Sequence, residues 1–122
     1  MGINLIRFLL ACGHKVRSYD IAPFTYAEAG AVDVLQGDIC DRRLHDAAFD
    51  GAGTVVHCAA ALPLADPAEI QASNVDGTRA LLETAKARRV PRFIHISSTA
   101  VYGIPSHHPL VEQDPMAGVG PY

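Results

Sequence analysis

Four short β-prone runs alternate with helical stretches along this chain, and that alternation most narrows what it can fold into. The runs are residues 15–19, 32–36, 54–58 and 93–97. Most are nearly continuous in apolar or β-branched side chains, as in Thr54-Val55-Val56 and Phe93-Ile94-His95-Ile96. Strands of that kind are buried on both faces, which a parallel sheet covered by crossover helices provides. Helical segments fill the intervals at 3–11, 41–49 and within 68–88. The expected fold class is α/β, a doubly wound parallel sheet.

Local signals punctuate the alternation. Residues 3–11 are apolar on nearly every side, which predicts a helix buried between a sheet and its neighbours. Gly13 stands where a helix end often needs a left-handed residue. The run 15–19 ends at Asp20, and Ile21-Ala22-Pro23 breaks the pattern. Asp41 is placed to cap the second helix. The long helix starts near Pro67, turns Leu81, Leu82 and Ala85 inward, and stops before Pro91. From Tyr102 to Tyr122 the chain becomes rich in Pro, Gly and His, the composition of a loop. A length of 122 residues suits one domain.

Charge and composition exclude several functions. A net charge of −3 and a pI near 6.0 give no field that would recruit nucleic acid or anionic lipid. Arg7, Lys15 and the acidic residues interrupt every apolar run before it reaches the roughly 18 residues of a membrane span. A cytoplasmic protein without a membrane segment is expected. Cys12, Cys40 and Cys58 fit no metal or redox spacing, so they read as buried or half-buried thiols in a reducing compartment. The six histidines, His107-His108 among them, lack partners at ligand spacing, and no metal site is expected. His57 and His95 lie inside apolar strands and read as hydrogen-bonded core residues.

Three groups of residues carry chemistry. The strand at 93–97 opens into Ser97-Ser98-Thr99-Ala100-Val101-Tyr102-Gly103, with Tyr122 downstream. Asn74-Val75-Asp76-Gly77-Thr78 leads into Leu81-Leu82. Cys58-Ala59-Ala60-Ala61 follows Val55-Val56-His57. Together they make the chain resemble the extended short-chain dehydrogenase/reductase family, the NAD-dependent epimerases and dehydratases of nucleotide sugars.

The resemblance implies a partial Rossmann-like, NAD-binding domain over residues 1–122, with 102–122 as an active-site loop. Gly2 matches the third glycine of the family's phosphate-binding turn, while the first strand and first two glycines are absent. Asp20, with Ile21 beside it, matches the carboxylate that accepts hydrogen bonds from the adenosine ribose and so favours NAD over NADP. By itself Asp20 reads more readily as a solvated residue opening a turn. Asp38 and Ile39 match a pair in which the carboxylate binds the adenine amino group and the apolar neighbour covers the ring; a plain Gly-Asp turn is the other reading. Cys58, Ala59, Ala60 and Ala61 match a small-residue segment that lets the backbone lie against the cofactor. Asn74 matches an Asn that anchors the active site from the following helix, though a polar residue there could also be a cap.

Ser98 and Tyr122 match the family's catalytic pair. The Tyr phenolate takes a proton from a sugar hydroxyl as hydride leaves for the nicotinamide, and the Ser hydroxyl holds the same oxygen. A nucleotide-sugar substrate and a homodimer are implied with it. A non-catalytic dinucleotide-binding or redox-sensing module of the same fold is the alternative.

The chain departs from the family pattern at both ends. The Lys that follows the catalytic Tyr and lowers its pKa is absent, and an unassisted phenol near pKa 10 is ionised about once in a thousand molecules at neutral pH. The chain alone is therefore expected to be inactive. Both ends cut through motifs, so the expectation is a truncated chain lacking the first central strand and the C-terminal substrate lobe. In the strand order 3-2-1-4-5-6 that loss leaves 15–19 and 54–58 without a neighbour. Such a chain should be marginal, aggregate through open edges, or pair those two strands with each other.

Overall fold

The computed structural model describes all 122 residues. Its elements run α1 (Gly2–Ala11), β1 (Val16–Asp20), β2 (Val32–Gln36), α2 (His45–Phe49), β3 (Thr54–His57), α3 (Pro67–Ile70), α4 (Thr78–Ala87) and β4 (Arg92–His95). No helix is long and apolar enough to cross a membrane.

The strands form two parallel pairs. β1 lies on β2 in a register that sets Val16 opposite Val32 and Asp20 opposite Gln36. β3 lies on β4 with Thr54 opposite Arg92 and His57 opposite His95. No ladder joins β1 to β3, so the two pairs do not close on each other and each keeps an open inner edge. Of the three outcomes expected for these strands, pairing with each other is thus not the one adopted.

Helices join the pairs instead. Ile39 after β2, Phe49 of α2 and Leu81 and Ala85 of α4 form one buried cluster, and Tyr19, Val55 and Phe93 pack against it from three strands. His45 is buried at the centre of this layer, and its Nε2 donates to the Ile39 carbonyl at 2.8 Å. Arg17 ties β1 to the end of α2. Its guanidinium donates to the carbonyls of Ala47 at 2.8 Å and Asp50 at 2.7 Å at the C-terminal end of the helix, the first of which also accepts from Asp50 N–H at 3.4 Å.

The long helix is one rod in three parts. Asp66 caps it by accepting from Ala68 N–H at 2.8 Å, and Pro67 occupies its first turn. The torsions stay helical through α3, a π-helical stretch Gln71–Gly77, and α4. Residue composition gave no sign of the wider turn. Gly77 lets this rod approach Ile39, since a Cβ there would sit 2.9 Å from both Ile39 Cγ1 and Cδ1.

Several expectations need correction. α1 buries none of its residues; it lies along β1 and meets the 3-10 turn Ala27–Ala31 only through the Arg7–Glu28 ion pair at 2.7 Å, so its apolar side chains stay half-buried or exposed. Leu82 points outward at 47 % exposure, whereas Ala80 joins Leu81 and Ala85 inside. His95 is exposed on β4, an edge strand, while His57 is buried as expected. Cys12 and Cys40 are exposed and only Cys58 is half-buried. Asp41 caps a 3-10 turn, Arg42–Leu44, that precedes α2, by accepting from Arg43 N–H at 3.1 Å. The strands also shift by a residue or two, β1 taking in Asp20 and β4 starting at Arg92 and ending at His95. Residues after Tyr102 form neither helix nor strand.

Candidate functional site

A cleft of about 420 Å³ opens at the C-terminal ends of β1, β2 and β3. In open parallel sheets this is where ligands collect, because the strand ends diverge there and loops frame the gap. Asp20 and Ile21 reach it from β1, Asp38 and Ile39 from β2, and Cys58, Ala59, Ala60 and Ala61 from β3. Eight of the residues singled out from the sequence therefore line one space.

Each wall is held by a local bond. Asp20 Oδ1 accepts from Ala22 N–H at 2.9 Å, which folds the chain away after β1. Asp38 Oδ1 accepts from Cys40 N–H at 2.8 Å in an equivalent turn after β2. The third wall is fixed by Asn74: its Oδ1 accepts from Ala61 N–H at 2.7 Å, and its Nδ2 donates to Ala61 O at 3.2 Å. Asn74 thus pairs with the backbone like a strand neighbour. It sits in the π-helical stretch, a local widening frequent near functional sites.

Gly2, Ser98 and Tyr122 do not line the cleft. Gly2 is exposed at the start of α1, with open space around its α-carbon. Ser98 is half-buried, and its Oγ accepts from Ala100 N–H at 3.2 Å, capping the 3-10 turn Thr99–Tyr102. Tyr122 is 38 % exposed, and no hydrogen bond joins it to Ser98.

Other cleft residues escaped the sequence reading. Glu69, Ala72 and Ser73 lie on the helix wall, at spacings of three and four that put them on one face, and that pattern was available to find them. Tyr19, Gly37 and Cys40 also contribute. Burial, then hydrogen bonding to Asp38, raises the Cys40 thiol pKa, so Cys40 is a neutral donor, to Ala72 O at 3.4 Å, and not a nucleophile. Beneath the floor, His57 Nε2 lies 2.8 Å from Thr78 Oγ1; burial and then His95 lower its pKa and favour the neutral ring.

The charge of the cleft is one-sided. Asp20, Asp38 and Glu69 line it, and no Lys or Arg does. No group of three metal-binding side chains converges anywhere in the chain. A neutral, flat ligand rich in hydroxyl and amino donors suits three carboxylate acceptors beside a floor of small residues. The adenosine half of a dinucleotide has that character. The fold and the site define a parallel-sheet nucleotide-binding domain.

Comparison with known proteins narrows the class. The sequence model of the family described as "NAD dependent epimerase/dehydratase family" matches residues 1–122. A 3β-hydroxysteroid dehydrogenase/Δ5→4-isomerase of Mycobacterium tuberculosis is 39% identical over 109 residues, 83% of this chain and 30% of that protein. A UDP-glucose 4-epimerase of Halalkalibacterium halodurans is 33% identical over 100% of this chain and 39% of its own. Among solved structures, a short-chain dehydrogenase/reductase superfamily protein of Agrobacterium tumefaciens with bound NAD superposes with a TM-score of 0.90 at 32% identity, covering 99% of this chain and 37% of that one. The Bordetella bronchiseptica enzyme WbmG, in complex with NAD and UDP, gives a TM-score of 0.85 at 31% identity over 98% and 41% of the two chains. The chain belongs to the NAD-dependent epimerase/dehydratase family. It spans less than half the length of these relatives.

Proposed function

We propose that this chain is the dinucleotide-binding part of an NAD-dependent oxidoreductase acting on a nucleotide sugar. The observation that carries the reading is the cleft itself, where three strand ends contribute carboxylates and small residues with no basic side chain among them. Asp20 accepts from the adenosine ribose hydroxyls, Asp38 from the adenine amino group, and Ile39 covers the ring. Cys58, Ala59, Ala60 and Ala61 give the flat floor that Asn74 holds in place, and Gly2 opens α1 toward the phosphates.

NAD supplies a centre that takes up and returns hydride. Tyr122 Oη accepts the proton of the substrate hydroxyl, and Ser98 Oγ hydrogen-bonds the same oxygen. A cytoplasmic homodimer completes the reading, with sedimentation of the native protein as its check. The 39% identity to a protein named as a steroid dehydrogenase/isomerase favours a hydroxysteroid as the second substrate class.

The test is calorimetric titration with NAD and NADP, followed by turnover assays of the native protein with UDP-glucose and with a 3β-hydroxysteroid. NAD should bind and NADP should bind more weakly. In Asp20→Ser the NADP-to-NAD affinity ratio should rise by about tenfold, because a carboxylate that repels the 2′-phosphate is gone. Absence of dinucleotide binding would overturn the proposal.

A further inference from the structure

We propose that Tyr19 is a positioning residue for adenine recognition: its hydroxyl holds the turn that presents Asp38 and Ile39 to the cleft. The inference rests on reading the cleft as a dinucleotide site. Tyr19 Oη donates to the Asp38 carbonyl at 2.5 Å, reaching from the end of β1 to a residue beyond the end of β2. Register makes the reach necessary, since Tyr19 stands opposite Leu35 within the ladder while Asp38 lies past its last pair, Asp20 with Gln36.

Packing holds the ring on several sides besides the hydrogen bond. A Cβ on Gly37 would lie 2.3 Å from Leu44 Cδ1 and 3.0 Å from Tyr19 Cε2, so the glycine leaves space for both the leucine and the ring at the base of the turn. On another side the ring meets His45 edge-on, with centroids 6.3 Å apart, and it packs on the cluster of Ile39, Phe49 and Leu81. Burial, and then the charges of Asp38 and Asp41, raise the phenol's pKa, so it stays a donor at neutral pH.

The Asp38 carboxylate is half committed. Oδ1 takes the Cys40 N–H, and the Cys40 thiol lies against the same carboxylate, which leaves its remaining acceptor capacity for a ligand amino group. Its direction depends on the main chain of Asp38, and that main chain is what Tyr19 grips. Phe at position 19 would fill the same space without the grip.

The experiment compares NAD with nicotinamide hypoxanthine dinucleotide, in which a carbonyl replaces the adenine amino group. Both are titrated calorimetrically into the native protein and its Tyr19→Phe, Tyr19→Leu and Asp38→Ala variants, each first checked by circular dichroism. Wild type should prefer NAD, and Asp38→Ala should abolish the preference. Tyr19→Phe should cut the preference by about three- to tenfold, the scale of one hydrogen bond, while affinity for the hypoxanthine analogue stays nearly constant. Tyr19→Leu, if folded, should match Phe. A purely structural role would weaken both dinucleotides equally, and that result overturns the proposal, as does a Tyr19→Phe variant that discriminates like wild type. A wild type that binds both dinucleotides but does not distinguish them also overturns it. Wild type that binds neither dinucleotide overturns the reading of the cleft itself.

Discussion

Replacing Asn74 separates a structural hydrogen bond from a charge at the same place. Asn74→Ala removes both bonds to Ala61 and leaves a half-buried N–H and C=O without partners. At about 0.5–1.5 kcal/mol for each bond, the loss is about 1–3 kcal/mol. For a domain of this size that lowers the melting temperature by roughly 4 °C per kcal/mol. Asn74→Asp keeps the shape and the acceptor for Ala61 N–H, yet sets a carboxylate oxygen against the Ala61 carbonyl, where Nδ2 now donates at 3.2 Å. Only the protonated carboxyl can donate there, so the folded state raises the introduced group's pKa above its unfolded value of about 3.9. A raised folded pKa gives stability that is present below the unfolded pKa and lost as pH rises through the folded one. Asn74→Asp should therefore be no better than Asn74→Ala at neutral pH and should recover toward wild type as the medium is acidified. Urea unfolding of all three proteins across that range, each variant referred to wild type at the same pH, measures it. A constant gap between Asn74→Asp and wild type would refute the reasoning.

Three further outcomes are expected. Gly77→Ala gains about 1 kcal/mol of helix propensity but pushes a methyl against Ile39, 2.9 Å away; overpacking of about 1–3 kcal/mol should win, lowering the urea midpoint and weakening NAD binding as Ile39 shifts. His57 has a pKa held below 6.5 by burial and by His95, so its contribution is present above pH 6.5 and lost as pH falls through the lowered value; His57→Gln should flatten that part of the stability profile on the acid side of pH 6.5. Arg17→Met removes charged hydrogen bonds to the end of α2 and should cost about 1.5–3 kcal/mol, whereas Asp33→Asn, which breaks only the exposed ion pair at 2.6 Å, should cost less than about 1 kcal/mol by the same unfolding assay.

Strand periodicity and turn residues made the α/β order legible, because apolar runs and Gly or Pro breaks are local properties of the chain. Asp20, Asp38 and the alanines after β3 were legible as a set because each ends a strand, and parallel strands bring their C-terminal ends together. The burial of α1 was misjudged because an apolar helix is covered only as far as its neighbours reach, and beside β1 it meets the 3-10 turn Ala27–Ala31 only through the exposed Arg7–Glu28 pair. Leu82 was misplaced by a helical wheel that could not include the wider turn at Gln71–Gly77. Tyr19 was invisible as a site residue because its partner is a backbone carbonyl fixed by strand register, which no side-chain pattern encodes.

The one-sided charge of the cleft has a consequence for how its selectivity is measured. Three carboxylates without a counter-charge repel any added anion through a field that salt screens, with a Debye length of about 8 Å at physiological ionic strength and about 3 Å at 1 M. On the proposed reading a 2′-phosphate would feel that repulsion, while the hydroxyl it replaces would be held by short-range bonds that salt scarcely touches. The proposed preference for NAD over NADP would then be a property of the protein and its medium together, widest in dilute buffer and narrowing as ions are added.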